Sequence, residues 1–506
     1  LDNDPFDRAN APDALTASPA HDIEGRAARG GLVVAVAQVA RGALEAVGLL
    51  VLSRTLLPAD FGLVDMIVSV TGIVDQLKDF GLGTALIQRP TITHKQVNTL
   101  FWISLAIGFA LTLLTALLAP LLAWGYGRPE LLELTLALSL STVLGAVSLQ
   151  QQALLRRELR FGALSIIDVA SAGIGIGCAI LAAVRGFGPW ALVVRQLVRL
   201  AVQAIMTWFW SGFRPSAPTR NGDVAELLRF GGHMSGFQVL NYMERNLDNI
   251  LIGRFAGAQP LAFYAKAYEL MRLPLTAINA PIASVAVPAL SRLIDAPERY
   301  RSAYLSVTRL LLLSTVPLAP LMIFGADVLI PLILGENWRP SVPIFKVLAL
   351  ALVVKPLLFT ASWLFISQGR SAEMFRWGVV GSSIALVSFC VGLPWGAFGV
   401  AISFTAFDVL LRAPILIGWV GRRGPVGVAQ LLACLWPAWT AGGAMWLAFW
   451  LCQQFLPSSS PALHYATSAP LAVVAGALAV WLTPWGKSAL LDGVRVLRAL
   501  RSKPAA

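Results

Sequence analysis

The sequence predicts an all-α integral membrane protein of about fourteen transmembrane helices. They are expected as two six-helix lobes with pseudo-twofold symmetry around a central cavity, plus two peripheral C-terminal helices. Three observations carry this. Charge is too scarce to cover a soluble body, apolar runs of bilayer length recur along the chain, and polar groups inside the first and seventh runs repeat at an offset of 200 residues.

Of the 506 residues, 57% are hydrophobic and 13% charged, and the mean hydropathy is +0.71. Soluble domains average about 45–50% apolar and about 25% charged residues. The formal net charge of +12 raises the question of nucleic acid. The basic residues sit mostly in short connections between apolar runs, and no soluble basic face with interleaved aromatics exists, so no nucleic-acid partner is expected. Cys178, Cys390, Cys434 and Cys452 lie inside apolar runs without ligand spacing, and His21, His94, His233 and His464 are scattered singly, so no metal site is expected.

Bilayer-length runs fall near 30–54, 60–86, 96–124, 129–154, 161–184 and 188–211. A second set follows near 228–256, 260–289, 302–334, 341–367, 374–393, 396–419, 428–455 and 463–486. Residues 1–27 read as a disordered cytoplasmic tail rather than a secretory signal. The first lobe is expected over 28–213, a cytoplasmic linker over 214–226 and the second lobe over 227–421. Helices 13 and 14 are expected within 422–487 and a basic cytoplasmic tail over 488–506. With both termini inside, roughly twenty Lys and Arg residues fall on the cytoplasmic side and five (Arg54, Arg128, Arg185, Arg254, Arg339) outside. An odd helix count would scramble that alternation.

The repeat is read between helices 1 and 7, where Gly31 matches Gly231, Gln38 matches Gln238, and Ser53-Arg54 matches Gly253-Arg254. In helix 1, Gln38, Arg41 and Glu45 share one face. In helix 7, Gln238, Asn241, Arg245 and Asp248 repeat the spacing. Helix 2 carries Asp65, Ser69, Gly72, Gln76 and Asp79 on one stripe, and helix 8 carries Glu269, Arg272, Thr276 and Asn279. Charged groups at mid-bilayer cost at least about 2.5–3.5 kcal/mol each, which directs such stripes toward a wet interior.

The same residues admit a purely structural role. Arg41–Glu45, Arg245–Asp248, Glu269–Arg272 and Asp408–Arg412 are spaced as local ion pairs. Arg195 and Arg199 have no local acid, and are either anion ligands or snorkelling groups. Lys346 and Lys355 are equally open, and Asp168 reads as a packing group. The last two helices carry no charge in their spans.

Several ordered segments resemble the polysaccharide transporter family. That family belongs to a superfamily that also holds multidrug-cation exporters and peptidoglycan-precursor flippases. The segments are Ser53-Arg54-Thr55-Leu56-Leu57-Pro58-Ala59-Asp60-Phe61-Gly62, then Asp79-Phe80-Gly81-Leu82-Gly83-Thr84, then Gln96-Val97-Asn98-Thr99-Leu100-Phe101-Trp102. Leu154-Leu155-Arg156-Arg157-Glu158-Leu159-Arg160-Phe161, Arg245-Asn246-Leu247-Asp248-Asn249 and Val287-Pro288-Ala289-Leu290-Ser291-Arg292 follow. The resemblance covers roughly residues 28 to 420 and is strongest to exporters of the colanic acid and xanthan kind.

The resemblance implies a flippase for undecaprenyl-pyrophosphate-linked repeat units in a bacterial inner membrane, working by alternating access and serving exopolysaccharide or lipopolysaccharide biosynthesis. Its partners would be membrane lipid, the lipid-linked glycan, and polysaccharide polymerase and assembly proteins. Within that frame Arg41, Arg245 and Arg272 are the candidate pyrophosphate contacts, because guanidinium forks match phosphate oxygens. Gln38, Gln238, Asn241 and Asn279 are candidate sugar contacts. Glu45, Asp65, Asp79, Asp248 and Glu269 are candidate sites for a coupling proton or sodium ion, and no other cofactor is expected. The alternatives are a cation-coupled drug exporter on the same fold and a non-transporting component of an assembly complex. An enzyme is not expected, since no nucleophile elbow, phosphate-cradling loop or zinc spacing appears.

Overall fold

The computed structural model describes residues 20–78, 86, 93–217, 225–422, 424–456, 460–484 and 486, and within them all regular structure is helical. Asp79, most of the expected linker, the basic C-terminal tail and residues 1–19 lie outside the described residues.

Two compact units divide the chain at Ala262 and Phe263. The first holds α1 (Ala20–Thr55), α2 (Pro58–Asp75), α3 (His94–Tyr126), α4 (Glu130–Arg157), α5 (Phe161–Val184), α6 (Trp190–Ser211) and α7 (Ala225–Ala256). Local chemistry sets several ends. Pro58 opens α2, where its missing N–H is no loss, and the Asp60 carboxylate accepts from the Leu57 amide at 2.9 Å. Thr93 and Gln96 form a reciprocal capping box at the start of α3, and Gly127 closes that helix at φ +65°. α3 and α4 form an antiparallel hairpin. Gly108 meets Ala146, and Gln150 donates to the Ser104 hydroxyl at 2.9 Å, so the paired positions move in opposite senses along the two helices.

The second unit contains most of α8 (Ala258–Ser291), followed by α9 (Pro297–Thr315), α10 (Leu318–Leu334), α11 (Ser341–Leu350) and α12 (Lys355–Ser367). Then come α13 (Ser371–Gly392), α14 (Gly396–Phe407), α15 (Ala413–Gly421), α16 (Val428–Ala433), α17 (Leu435–Phe455) and α18 (Pro461–Leu482). α17 and α18 seat on α10: Phe449 stacks on Phe324 at 4.7 Å, and the Tyr465 hydroxyl donates to the Leu321 carbonyl at 3.1 Å.

Ten helices among the described residues are long and apolar enough to cross a bilayer, and a pair bent by 46°, Ser341–Val353 with Lys355–Ser367, brings the number to eleven. The expected fourteen differ at three places. Pro58–Asp75 and Ala225–Ala256 are not among these spans, and Ser371–Gly421 is one continuous apolar run. α7 carries Glu244, Arg245 and Asp248 close together, which interrupts its apolar character. Ser371–Gly421 is nevertheless a hairpin: Gly381 faces Arg412, Phe389 faces Phe404 at 5.4 Å, and Gly392 faces Gly399.

Leu113, Leu117, Leu121 and Trp124 are each more than half exposed along one face of α3. Leu471, Val474 and Trp481 do the same on α18. Contiguous apolar stripes of this kind are stable against lipid and not against water. The protein is a multi-pass membrane protein.

Candidate functional site

The first unit gathers charge from four helices. On α1, Gln38, Arg41 and Glu45 project from one face. α5 runs parallel to α1, since a Cβ on Gly48 would lie 3.0 Å from Ile176 and one on Gly173 would lie 3.6 Å from Leu44. α6 packs onto α5 where Gly175 offers no side chain. A Cβ there would sit 2.9 Å from the Arg195 carbonyl oxygen and 3.0 Å from the Arg199 Cβ. Small residues in α5 thus let α6 approach closely, as membrane interfaces require.

That approach creates an ion pair between Arg195 and Glu45, residues 150 positions apart. Arg199, one turn further on, lies in the field of Arg41, Glu45, Arg195 and Asp168. A cleft of about 220 Å³ joins the same group, lined by Gln38, Arg41, Gln152, Arg156, Ser165 and Asp168 together with Val34, Ala37, Phe161 and Leu164. The cluster therefore holds four guanidinium groups (Arg41, Arg156, Arg195, Arg199) against two carboxylates (Glu45, Asp168), an excess of two positive charges. A site of this sign, half open to a cleft inside a membrane span, suits an anionic group with hydrogen-bonding substituents.

The other sequence-derived candidates fall elsewhere. Asp65 lies half-buried on α2 near Tyr242, whose hydroxyl donates to the Val68 carbonyl at 2.7 Å. Arg245 is exposed on α7, whereas Asp248 is buried and accepts from the Asn249 amide at 2.8 Å. The side chains of Gln238 and Asn241 lie outside the described residues. In the second unit Glu269 pairs with Lys266 at 2.8 Å rather than with Arg272. The Arg272 guanidinium instead lies 5.6 Å from the centre of the Tyr268 ring. Asn279 is 1% exposed, and its amide atoms make no hydrogen bond among the described residues.

Three groups stand where the sequence reading had not placed them. Asp168, expected as a packing residue, lines the cleft beside Gln152 and Arg156. Arg195 finds its acid on another helix; two arginines four apart with no local acid were the available signal. Lys355 pairs with Asp408 at 2.6 Å, and Asp408 also faces Arg412 at 3.6 Å.

Comparison with known proteins is consistent with this geometry. A family profile described as "Polysaccharide biosynthesis protein" matches residues 51–343. The chain is 27% identical over 365 residues to the teichuronic acid biosynthesis protein TuaB of Bacillus subtilis, covering 67% of this chain and 76% of that one. It is 26% identical over 381 residues to the lipopolysaccharide biosynthesis protein WzxC of Escherichia coli, covering 74% and 77%. The succinoglycan biosynthesis transport protein ExoT of Rhizobium meliloti is 26% identical over 380 residues, covering 74% and 75%. Among solved structures, the fold is similar to the lipid II flippase MurJ in an inward closed conformation. The TM-score is 0.68 at 12% identity, covering 93% of this chain and all of that one. An inward-facing multidrug resistance MATE family transporter gives 0.61 at 16% identity, covering 78% and 95%.

Proposed function

This chain belongs to the polysaccharide biosynthesis protein family, and on that premise we propose that it carries a lipid-linked oligosaccharide across the bacterial inner membrane. In this reading it is a flippase with fourteen spans and both termini in the cytoplasm. The number follows when α2 and α7 are each counted as crossing the bilayer and the hairpin within Ser371–Gly421 is counted as two spans. Two six-helix lobes rock about a central cavity, and α17 with α18 sits outside them.

The observation that carries the proposal is the cluster in the first unit, with its excess of two positive charges beside a cleft of about 220 Å³. A pyrophosphate-sugar head cannot enter hydrocarbon without partners, because desolvating ions and hydroxyls is expensive. Arg41 and Arg199 supply forked donors for the phosphate oxygens, while Gln38 and Gln152 supply amides for sugar hydroxyls. The polyprenyl tail stays in lipid. Glu45 and Asp168 hold the guanidinium groups in place when no head is bound and compete with it, which favours release. Glu45, Asp65, Asp79, Asp248 and Glu269 are the carboxylates that would take up a coupling proton or sodium ion.

The fold is shared with drug exporters, which is why sign matters. A cationic drug would be repelled by the arginine-rich cluster, whereas an anionic head is attracted. The test is reconstitution of the full chain in liposomes with a labelled lipid-linked glycan, following its appearance on the outer face. A charge-assisted hydrogen bond contributes about 1.5–3 kcal/mol, so Arg41→Ala should slow transfer by about tenfold or more. Wild-type rates in well-folded Arg41→Ala and Arg199→Ala would remove the assignment.

A further inference from the structure

We propose that the turn joining α4 to α5 is an anchor for an anionic phospholipid, with Leu159 at the boundary of the acyl chains and Arg156 on the lipid phosphate. The inference goes beyond the transport reading and does not depend on what is carried.

The backbone of this turn adopts a conformation that its residue disfavours. α4 ends with the Leu159 amide donating to the Arg156 carbonyl at 3.1 Å and the Arg160 amide donating to the Leu155 carbonyl at 3.0 Å. That pair of bonds needs a left-handed residue just past the helix. α3, α5 and α12 end with the same pair, and each places a glycine there: Gly127, Gly186 and Gly369, at φ +65°, +80° and +68°. Leu159 holds φ +55° and is the only non-glycine residue at positive φ among the described residues. In that conformation a leucine Cβ crowds the following carbonyl, which glycine avoids. Glycine would close the same turn without strain, so the leucine side chain must itself bring something that offsets it.

Packing within the protein supplies only part of that, because Leu159 remains 45% exposed. The residues around it hold the turn in place. Arg157 donates to the Leu86 carbonyl at 3.1 Å, while Arg160 donates to the Trp210 carbonyl at 2.7 Å and pairs with Glu158 at 3.5 Å. Arg156 is exposed at the edge of the cleft. Lipid already lies beside the turn: Ile166, Ile174, Leu181 and Val184 form an exposed apolar face on α5. An exposed leucine next to an exposed arginine at the end of a span is an amphipathic pair. The leucine suits acyl chains, and the guanidinium fork suits phosphate oxygens. A zwitterionic lipid neutralises its own phosphate, whereas an anionic one does not, so the anionic headgroup is favoured. Arg156 and Phe161, on the two sides of the turn, both line the cleft, so the anchor holds the cleft at headgroup depth.

Native mass spectrometry of the full-length protein in neutral detergent, titrated with phosphatidylglycerol or phosphatidylcholine, reads the site directly. Leu159→Gly keeps the turn and removes the side chain, whereas Leu159→Met keeps an apolar side chain of similar reach. Phosphatidylglycerol should bind Leu159→Gly and Arg156→Gln about fivefold more weakly than wild type. It should bind Leu159→Met at wild-type strength, and phosphatidylcholine should bind every form weakly and alike. Equal phosphatidylglycerol binding by wild type and Leu159→Gly would overturn the proposal. That is the outcome expected if the leucine served a cytoplasmic protein, which the purified chain lacks. Equal weakening for both lipids would overturn it too, reducing Leu159 to an apolar contact without charge preference. Should Leu159→Gly misfold, Leu159→Asn decides the point, since asparagine tolerates the left-handed conformation and is polar. Weaker phosphatidylglycerol binding by that variant supports the anchor, and unchanged binding refutes it. None of these measurements involves a transported glycan, so failure of the transport reading would leave them intact.

Discussion

The charged cluster of the first unit and that of the second are built from the same residue types under opposite conditions. In the first, Glu45 and Arg195 are each about 30% exposed and adjoin a cleft. In the second, Asp408 is 2% exposed and its partners sit at helix breaks. The first is shaped by close helix approach at Gly48, Gly173 and Gly175, the second by Pro356 and Pro414. An ion pair that retains solvent can be exchanged for a ligand at small cost. A dry one holds its geometry and penalises any change that leaves a charge alone. The first pair can thus exchange its partner, while the second fixes the geometry of the helices that carry it.

The sharpest way to break this contrast is Asp408→Asn alone. It takes the buried Asp408 charge away from Lys355 and Arg412, and removal of one partner from a buried pair costs about 3–5 kcal/mol. Denaturation of the purified variant in detergent should show a loss of that size. A loss below about 1 kcal/mol would place Asp408 among solvated groups and erase the difference between the two units.

The helix-packing side of the contrast predicts a smaller effect. Gly175→Ala puts a Cβ 2.9 Å from the Arg195 carbonyl oxygen, a backbone atom that cannot rotate away. α6 must shift outward, at a cost of about 1–3 kcal/mol for overpacking. The Glu45–Arg195 pair should loosen with it. Cross-linking of cysteines placed at Glu45 and Arg195 reads that movement, and an unchanged cross-linking yield in Gly175→Ala would mean that α5 does not set the distance.

Much of this was legible before any coordinates. The face shared by Gln38, Arg41 and Glu45 follows from spacing alone, and the scarcity of charge gave the membrane. Partner identity was not legible. Periodicity reports which residues share a face, whereas the acid facing Arg195 depends on how α6 crosses α1, and that depends on glycines in α5. The local pairs suggested for Arg41 with Glu45 and for Glu269 with Arg272 therefore gave way to Arg195 and Lys266. Lys355 and Asp408 show the same limit across 53 positions. Pro356 and Pro414 were visible, but their shared depth emerges only when the two helices are laid side by side. The comparison of helices 1 and 7 rests partly on Gln238 and Asn241, whose side chains lie outside the described residues.

The smallest effect in stability belongs to Glu45→Gln, and it sharpens the contrast furthest. The pair is partly solvated, so its loss should cost no more than about 0.2–1 kcal/mol. The charge consequence is larger. Without Glu45 the cluster's excess rises from two positive charges to three, and Arg195 is released for a ligand. Isoprenyl pyrophosphate should bind severalfold tighter while its release on the far side slows, so affinity rises as turnover falls. Binding in nanodiscs and transfer in liposomes measure the two separately. Weaker binding, or a stability loss comparable to that of Asp408→Asn, would mean that Glu45 is a structural counter-ion like Asp408 rather than a competitor of the head group.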